Sequence, residues 1–401
     1  MATEKIYERD VYRTEQTAAI TSLEPVENGF LLTLDKTIFA PSGGGQDRDK
    51  GYINAFHITD IYEKDGEIYH KIAVKKGLWF PKTGETANLL LDWNTRFSNM
   101  QRHTGEHILS GAFYELYKGV NKGFHMGDDY MTIDIDSEEP VTWDMALRAE
   151  SYSNKVIWEN LPVTTLNIDK REDAKDIPLR KALTLLEDIK IVCVGNPANP
   201  ADCVACCGTH VAFTGEVGII KVYKAEKNKD LYRIYFDAGR RAYEKLAVIY
   251  EQAQSLGVHY STQPENIFDR ILAREEKEQA VRNRLYNLTQ SIIKERQKEI
   301  ESSMASGTNV FTYNDLPLND LVKIGNGLTS VIPLVLVIIQ EEEKAALLFS
   351  DGKKADCNKL VKDTAPVFNG KGGGNKESAR AFFTTLDNLM TFVDALNKHL
   401  R

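Results

Sequence analysis

The chain has 401 residues, of which 42% are apolar, 27% charged and 9% aromatic. That is a globular composition, and it excludes a disordered or collagen-like chain. Acids outnumber bases, 58 to 50, for a net charge of −8. A uniformly basic nucleic-acid-binding surface is therefore excluded, and a nucleic-acid partner would have to be held by local basic patches.

In chain order, residues 1–92 read as β-structure. Turn pairs punctuate short, evenly spaced apolar strands: Asn28-Gly29 ahead of FLLTLDKTIF, and Asp65-Gly66 between ITDIYEK and EIYHKIAV. This pattern suits a small β-barrel. From Asn94 to about Lys118 the pattern predicts a helix. Residues 119–239 mix both periods, with strands at YMTIDID and GIIKVYKAE and a helix at ALRAESYSNKVIWEN, so that 93–239 reads as an α+β domain.

Residues 240–305 read almost entirely as helix, interrupted around Gly257 and restarted at Pro264. Val281, Leu285, Leu288 and Ile292 form a short heptad-like stripe that predicts a coiled-coil or helix-hairpin arm. Between Arg270 and Lys298 there are eight Lys/Arg against four Glu. Residues 306–401 alternate apolar strands (VIPLVLVII, KAALLFS) with helical segments and read as a small α/β domain.

Five cysteines are too few for a disulfide scaffold. Cys203, Cys206 and Cys207 cluster within five residues, which predicts metal or thiol chemistry in a reducing compartment rather than a staple. MATEKIYERDVYRTEQ has no apolar segment, and the longest apolar run, Val331–Ile339, is too short to span a bilayer. The expectation is a cytoplasmic protein without a membrane segment.

The sharpest local pattern is His103-Thr-Gly-Glu-His107. On a helix, residues i and i+4 share a face about 6 Å apart, so both imidazoles can reach one ion. A hundred residues later, Cys206 and His210 repeat that spacing. Three imidazoles and a thiolate make a tetrahedral Zn²⁺ set. HTGEH also matches H-x-x-E-H, which would make Glu106 the general base of a zinc metallopeptidase; that reading has no use for Cys206 and His210.

These segments resemble a known family. HTGEH and CCGTHVAFTGEVG resemble the paired HxxxH and CxGTH motifs of the alanyl-tRNA synthetase editing domain. LDKTIFAPSGGGQDRDKGYI resembles its entry segment, LYRIYFDAGRRAYE its closing segment, and GKGGGNKESARAF the glycine-rich motif of the synthetase's C-terminal domain. The matches span residues 31 to about 382 in the family's order, with no aminoacylation domain expected ahead of them. The chain thus resembles the long type of free-standing alanyl-tRNA editing protein. Where the family usually reads C-G-G-T-H, Cys207 replaces the first glycine. Spacing from His210 assigns the sulfur ligand to Cys206, with Cys203 and Cys207 as alternatives.

The resemblance implies a zinc-dependent hydrolase acting in trans on tRNA(Ala) mischarged with serine or glycine. It implies that Thr37 bonds the seryl hydroxyl, that Gln46 lines the same pocket, and that Gly43, Gly44 and Gly45 bring the backbone close to the substrate. Gly372, Gly373 and Gly374 are expected in a loop that opens a helix and contacts the outer corner of the tRNA, with Lys371 and Lys376 adding charge. A homodimer through the helical arm and the C-terminal domain is a further expectation. The alternative to an enzyme is a tRNA-binding module whose zinc is structural.

Overall fold

A computed structural model describes residues 2–74 and 82–399. The chain divides into two compact units, Met1–Ser255 and Leu256–Arg401.

In the first unit, strands Glu15–Val26, Gly29–Leu34, Glu67–Ala73, Phe56–Lys64, Gly51–Ile53 and Thr86–Leu91 close in that order into a barrel. Asn28, Asp65 and Gly66 take the positive φ that tight hairpin turns require. The barrel encloses its own apolar core, including Ile20, Leu32, Ile61 and Leu89. Residues 75–81 of the expected barrel segment lie outside the described residues.

Helix α1, Trp93–Tyr117, begins where the Asp92 side chain accepts from Thr95 N–H. It does not have the one-sided burial of a surface helix: every residue from Asn99 to Phe113 is buried. Its neighbours are α2 (Trp143–Trp158) and a four-stranded sheet in the order Ile220–Asn228, Leu231–Ala238, Met131–Asp136, Val120–Met126. Gly105 makes the packing close, since a Cβ there would sit 2.5 Å from Cβ of Ala238. The unit also has a three-stranded sheet, Val163–Lys170, Glu187–Val194 and Asp202–Ala205, and a two-stranded parallel pair, Glu4–Lys5 with Lys36–Thr37. Helix α3, Gly239–Tyr260, runs through Gly257, so the helix break falls later than expected, at Ser261–Gln263.

The second unit contains α4, Ile267–Ala305, which buries only Ile267, Ile293, Ile300 and Met304. The last three join the core of a five-stranded sheet ordered Val310–Thr312, Leu336–Gln340, Ala345–Phe349, Ser378–Phe383, Gly370–Gly374. Helices α5 (Leu318–Leu328), α6 (Cys357–Thr364) and α7 (Leu386–His399) complete it. Among the described residues no helix is long and apolar enough to cross a membrane.

Two expectations are corrected. Gly372, Gly373 and Gly374 do not open a helix; they form an edge strand paired with Ser378–Phe383. The segment SARAFF buries every second residue, Ala379, Ala381 and Phe383, and this two-residue period selects a strand over a helix. Cys203 is not free for metal: it lies directly opposite Cys193 on the neighbouring strand, with Cα atoms 4.2 Å apart, and the two form a disulfide. Register between two consecutive strands creates this pair at a separation of ten residues, so Cys203 is a staple, contrary to the expectation for the cysteine cluster.

Candidate metal centre and its surroundings

Helix α1 presents His103 and His107 one turn apart, and the loop after strand Asp202–Ala205 presents Cys206 and His210. Each offers one ligand atom, and all four atoms lie within 4.8 Å of one another. Cys206 Sγ is 3.4 Å from Nε2 of both His103 and His210. Two ligands of a tetrahedral zinc, at bond lengths of about 2.0–2.3 Å, stand about 3.5 Å apart, so these donors fit that ion. Of the three cysteines considered as the sulfur, only Cys206 belongs to the cluster; Cys207 is exposed beside it.

Each imidazole is also held from behind. His103 Nδ1 is 2.8 Å from Gln46 Oε1. A carbonyl oxygen only accepts, so His103 donates through Nδ1 and turns the lone pair of Nε2 toward the cluster. The amide orientation of Gln46 is set by Thr209, whose N–H donates to Oε1 while Gln46 Nε2 donates to its hydroxyl. His107 Nδ1 lies 3.1 Å from Asp202 Oδ2, and Arg180 clamps Asp202 from its other side. His210 Nδ1 is 3.2 Å from the Thr104 hydroxyl, which also accepts from Val211 N–H. Gly208 permits the close approach of this loop, because a Cβ there would meet the His103 ring at 2.2 Å.

The electrostatics suit a cation. Burial pushes the Cys206 thiol up, but the His103 and His210 imidazoles outweigh it and hold the thiol well below its ordinary range. Burial likewise opposes charge on His107, yet Asp202 and Cys206 raise it to about 10. At His210, burial first and the neighbouring His103 second lower the imidazole to about 4.

Glu106 lies beside the cluster. Its Oε1 accepts from Ser110 Oγ at 2.6 Å and Asn121 Nδ2 at 2.7 Å, and its Oε2 is 3.8 Å from His107 Nε2. A buried carboxylate with one oxygen anchored and the other near a ligand atom can accept a hydrogen bond from a water or substrate there.

The remaining expected site residues are placed as follows. Gly43–Gly45 form an exposed turn closed by reciprocal Gly43–Gln46 backbone bonds, which puts the Gln46 side chain inward. Gly45 is against Phe124, whose ring stacks on His103 at 5.6 Å. Thr37 is fully buried in the first unit; its hydroxyl is 2.9 Å from His70 Nε2 and accepts from Phe39 N–H. Gly372–Gly374 belong to the other unit. Asp202, Arg180, Thr104 and Thr209 were not anticipated from sequence; the available signal was an acid, Asp202, four residues ahead of Cys206, and a threonine inside each of the two pairs, next to a histidine.

The family profile described as threonyl and alanyl tRNA synthetase second additional domain matches residues 189–235. The chain is 34% identical to alanyl-tRNA editing protein AlaX-L of Pyrococcus horikoshii, covering 94% of each chain. It is 24% identical to the mouse alanyl-tRNA editing protein Aarsd1, over 92% of this chain and 91% of that one. Against alanine–tRNA ligase of Archaeoglobus fulgidus the identity is 26%, over all of this chain and 44% of the ligase.

Proposed function

The chain belongs to the alanyl-tRNA editing protein family, a family of hydrolases, and from that premise we propose that it deacylates tRNA(Ala) mischarged with serine, and with glycine as a second substrate. The observation that carries the chemical part of the reading is the convergence of His103, His107, Cys206 and His210, with three Nδ1 atoms each facing a protein oxygen. These four would hold Zn²⁺, which supplies Lewis acidity toward an ester carbonyl and a fixed point for orienting it.

An aminoacyl ester is already activated, so the protein's own task is to orient it and exclude side reactions. Gln46 spans both halves of the site, fixing His103 and Thr209 together. Thr37 is the proposed selector of the seryl hydroxyl. A hydroxyl has three hydrogen-bonding capacities, and His70 and Phe39 use two of Thr37's, leaving one for a substrate hydroxyl. The second unit contributes tRNA affinity through the basic stretch of α4 and the edge strand Gly370–Gly374 with Lys371 and Lys376, and supports self-association. The protein acts in the cytoplasm.

Release of amino acid from seryl-, glycyl- and alanyl-tRNA(Ala) tests this reading; seryl-tRNA should be cleaved fastest and alanyl-tRNA spared. Thr37→Val removes the hydroxyl but keeps the shape. It should shift the seryl-to-alanyl ratio of kcat/KM by about 1–3 kcal/mol, the worth of one buried hydrogen bond, at unchanged zinc content. An unchanged ratio would move selection to another residue.

A further inference from the structure

The apolar stripe of α4, Val281, Leu285 and Leu288, continues toward the N-terminus as three exposed cations, Arg270, Arg274 and Lys277, at the same spacings of four and three. Residues at i, i+4 and i+7 share one helix face. The nearby acids are turned away from it: Asp269, Glu275 and Glu276 each lie about 100° round the helix from the adjoining cation.

A chain reversal closes this face at its N-terminal end, within the second unit. Ser261 takes a positive φ of 52°, and Thr262 N–H donates to the Gly257 carbonyl. Gly257 makes that closeness possible, because a Cβ there would meet the Thr262 carbonyl oxygen at 2.8 Å. The reversal leaves a cavity of about 240 Å³, walled by His259, Tyr260 and Ser261 on one side and by Arg270, Arg274 and Lys277 on the other, with no acid in its wall. A second cavity of about 320 Å³ adjoins it along α4; it shares Arg274 and Lys277 and adds Glu278 and Arg282.

The two arginines are held in place. Arg270 donates through Nε to the Tyr260 carbonyl at 3.3 Å, and the Arg274 guanidinium lies over the Tyr260 ring, 5.6 Å from its centroid. Arg274 Nε donates to Glu278 at 3.0 Å, and the same carboxylate is 4.0 Å from Arg282. Among the described residues the Nη groups of Arg270 and Arg274 have no hydrogen-bond partner, and no carboxylate pairs with Arg270 or Lys277. Arg296, further along α4, is by contrast already tied to Glu299 and Asp315.

A guanidinium with free Nη groups grips the paired oxygens of a phosphate, and an ammonium adds a point charge. Two adjoining cavities that share their cations suit an anion whose charge repeats along its length. In a chain of net charge −8, an exposed cluster of cations with its acids turned away is where a polyanion can approach. We propose that the chain reversal ahead of α4 is a preformed clamp for consecutive phosphodiester groups of the tRNA backbone, gripped by Arg270, Arg274 and Lys277. It rests on the reading that the second unit contributes tRNA affinity, and it confines the share of α4 to this one site.

The test titrates tRNA binding against salt on the full chain, with melting temperature and zinc content as controls for folding. Arg270→Gln with Lys277→Gln should make the salt slope shallower by about 1.4–1.8, the value of two phosphate contacts, and raise KM for seryl-tRNA(Ala) at least about tenfold at unchanged kcat. Lys170→Gln with Lys175→Gln removes the same charge from exposed positions of the first unit and should bind as the wild type does. An unrelated tRNA should lose affinity by the same factor, since phosphates carry no sequence. Equal losses in these two double variants, or a loss confined to tRNA(Ala), would overturn the clamp. An equal loss in Lys294→Gln with Lys298→Gln would spread the affinity along α4 and overturn the clamp, leaving the second unit's contribution in place. If the Arg270/Lys277 and Lys294/Lys298 variants and Lys371→Gln with Lys376→Gln all bind like the wild type, that contribution falls with the clamp. If the wild type hydrolyses none of the three esters, yet the Arg270/Lys277 variant weakens tRNA binding, the hydrolase reading fails and the clamp stands.

Discussion

The two longest helices are opposites. Helix α1 carries Arg96, Arg102, His103, Glu106 and His107, and all five are buried. Helix α4 carries a regular apolar stripe, yet Val281, Leu285 and Leu288 are 66%, 63% and 54% exposed. By periodicity alone, α4 should hide a face and α1 should show one. The reason for the inversion lies in the partners. Arg96 donates to both oxygens of Asp49 and to the carbonyls of Val11 and Ile38. Arg102 bonds Asp237 and the Gly127 carbonyl. With the charge paired to a carboxylate and four of the five Arg96 donors met, a charge can be enclosed; without a covering surface, an apolar stripe cannot.

The sharpest way to break this contrast is to remove one buried partner. Arg96→Ala leaves Asp49 enclosed and unpaired and should cost about 3–5 kcal/mol in denaturant unfolding of the whole chain. A loss below about 1 kcal/mol would show that the pair does not anchor α1.

Next in size is the metal. Cys206→Ala should weaken zinc binding at least about 100-fold, or about 2.7 kcal/mol, whereas Cys203→Ala should keep one zinc per chain by elemental analysis. The converse result would reassign the sulfur ligand. A chain ending at Ser255 loses α4 but keeps the cluster. It should retain zinc and deacylation, with KM for tRNA raised about tenfold, about 1.4 kcal/mol, and a shallower salt slope. Equal tRNA binding by both lengths would remove α4 and the C-terminal sheet from the RNA-binding surface.

The smallest effect belongs to the stripe. Replacing Val281, Leu285 and Leu288 by Gln should change the stability of the monomer by no more than about 0.5 kcal/mol per site. If the stripe is the self-association surface, the same triple variant should shift sedimentation toward monomer; a large loss of monomer stability would mean that α4 is covered within one chain.

One pH effect separates the barrel from the cluster. Burial lowers the His70 imidazole to about 4, so it stays neutral in the folded chain where the unfolded chain binds a proton below about 6.5. Stability should therefore fall as pH drops from about 6.5 to 4, by on the order of 3 kcal/mol from this residue, and His70→Gln should flatten that part of the profile.

Local pattern in the sequence was enough for most of the elements and for the residue types that form the cluster. The helix at 94–118, the hairpins at Asn28-Gly29 and Asp65-Gly66, and the HxxxH and CxxxH pairs depend on neighbours within a few residues, so spacing determines them. What only the tertiary structure decided depends on pairings that spacing along the chain does not encode, the longest of them between residues far apart. Gln46 reaches His103 across 57 positions and Thr104 reaches His210 across 106. Cys203 is taken by Cys193 through strand register, and Gly372–Gly374 become an edge strand because their pairing partner, not their composition, satisfies their backbone. Charge on α1 could be buried only because distant carboxylates and carbonyls converge on it, and no local periodicity encodes that convergence.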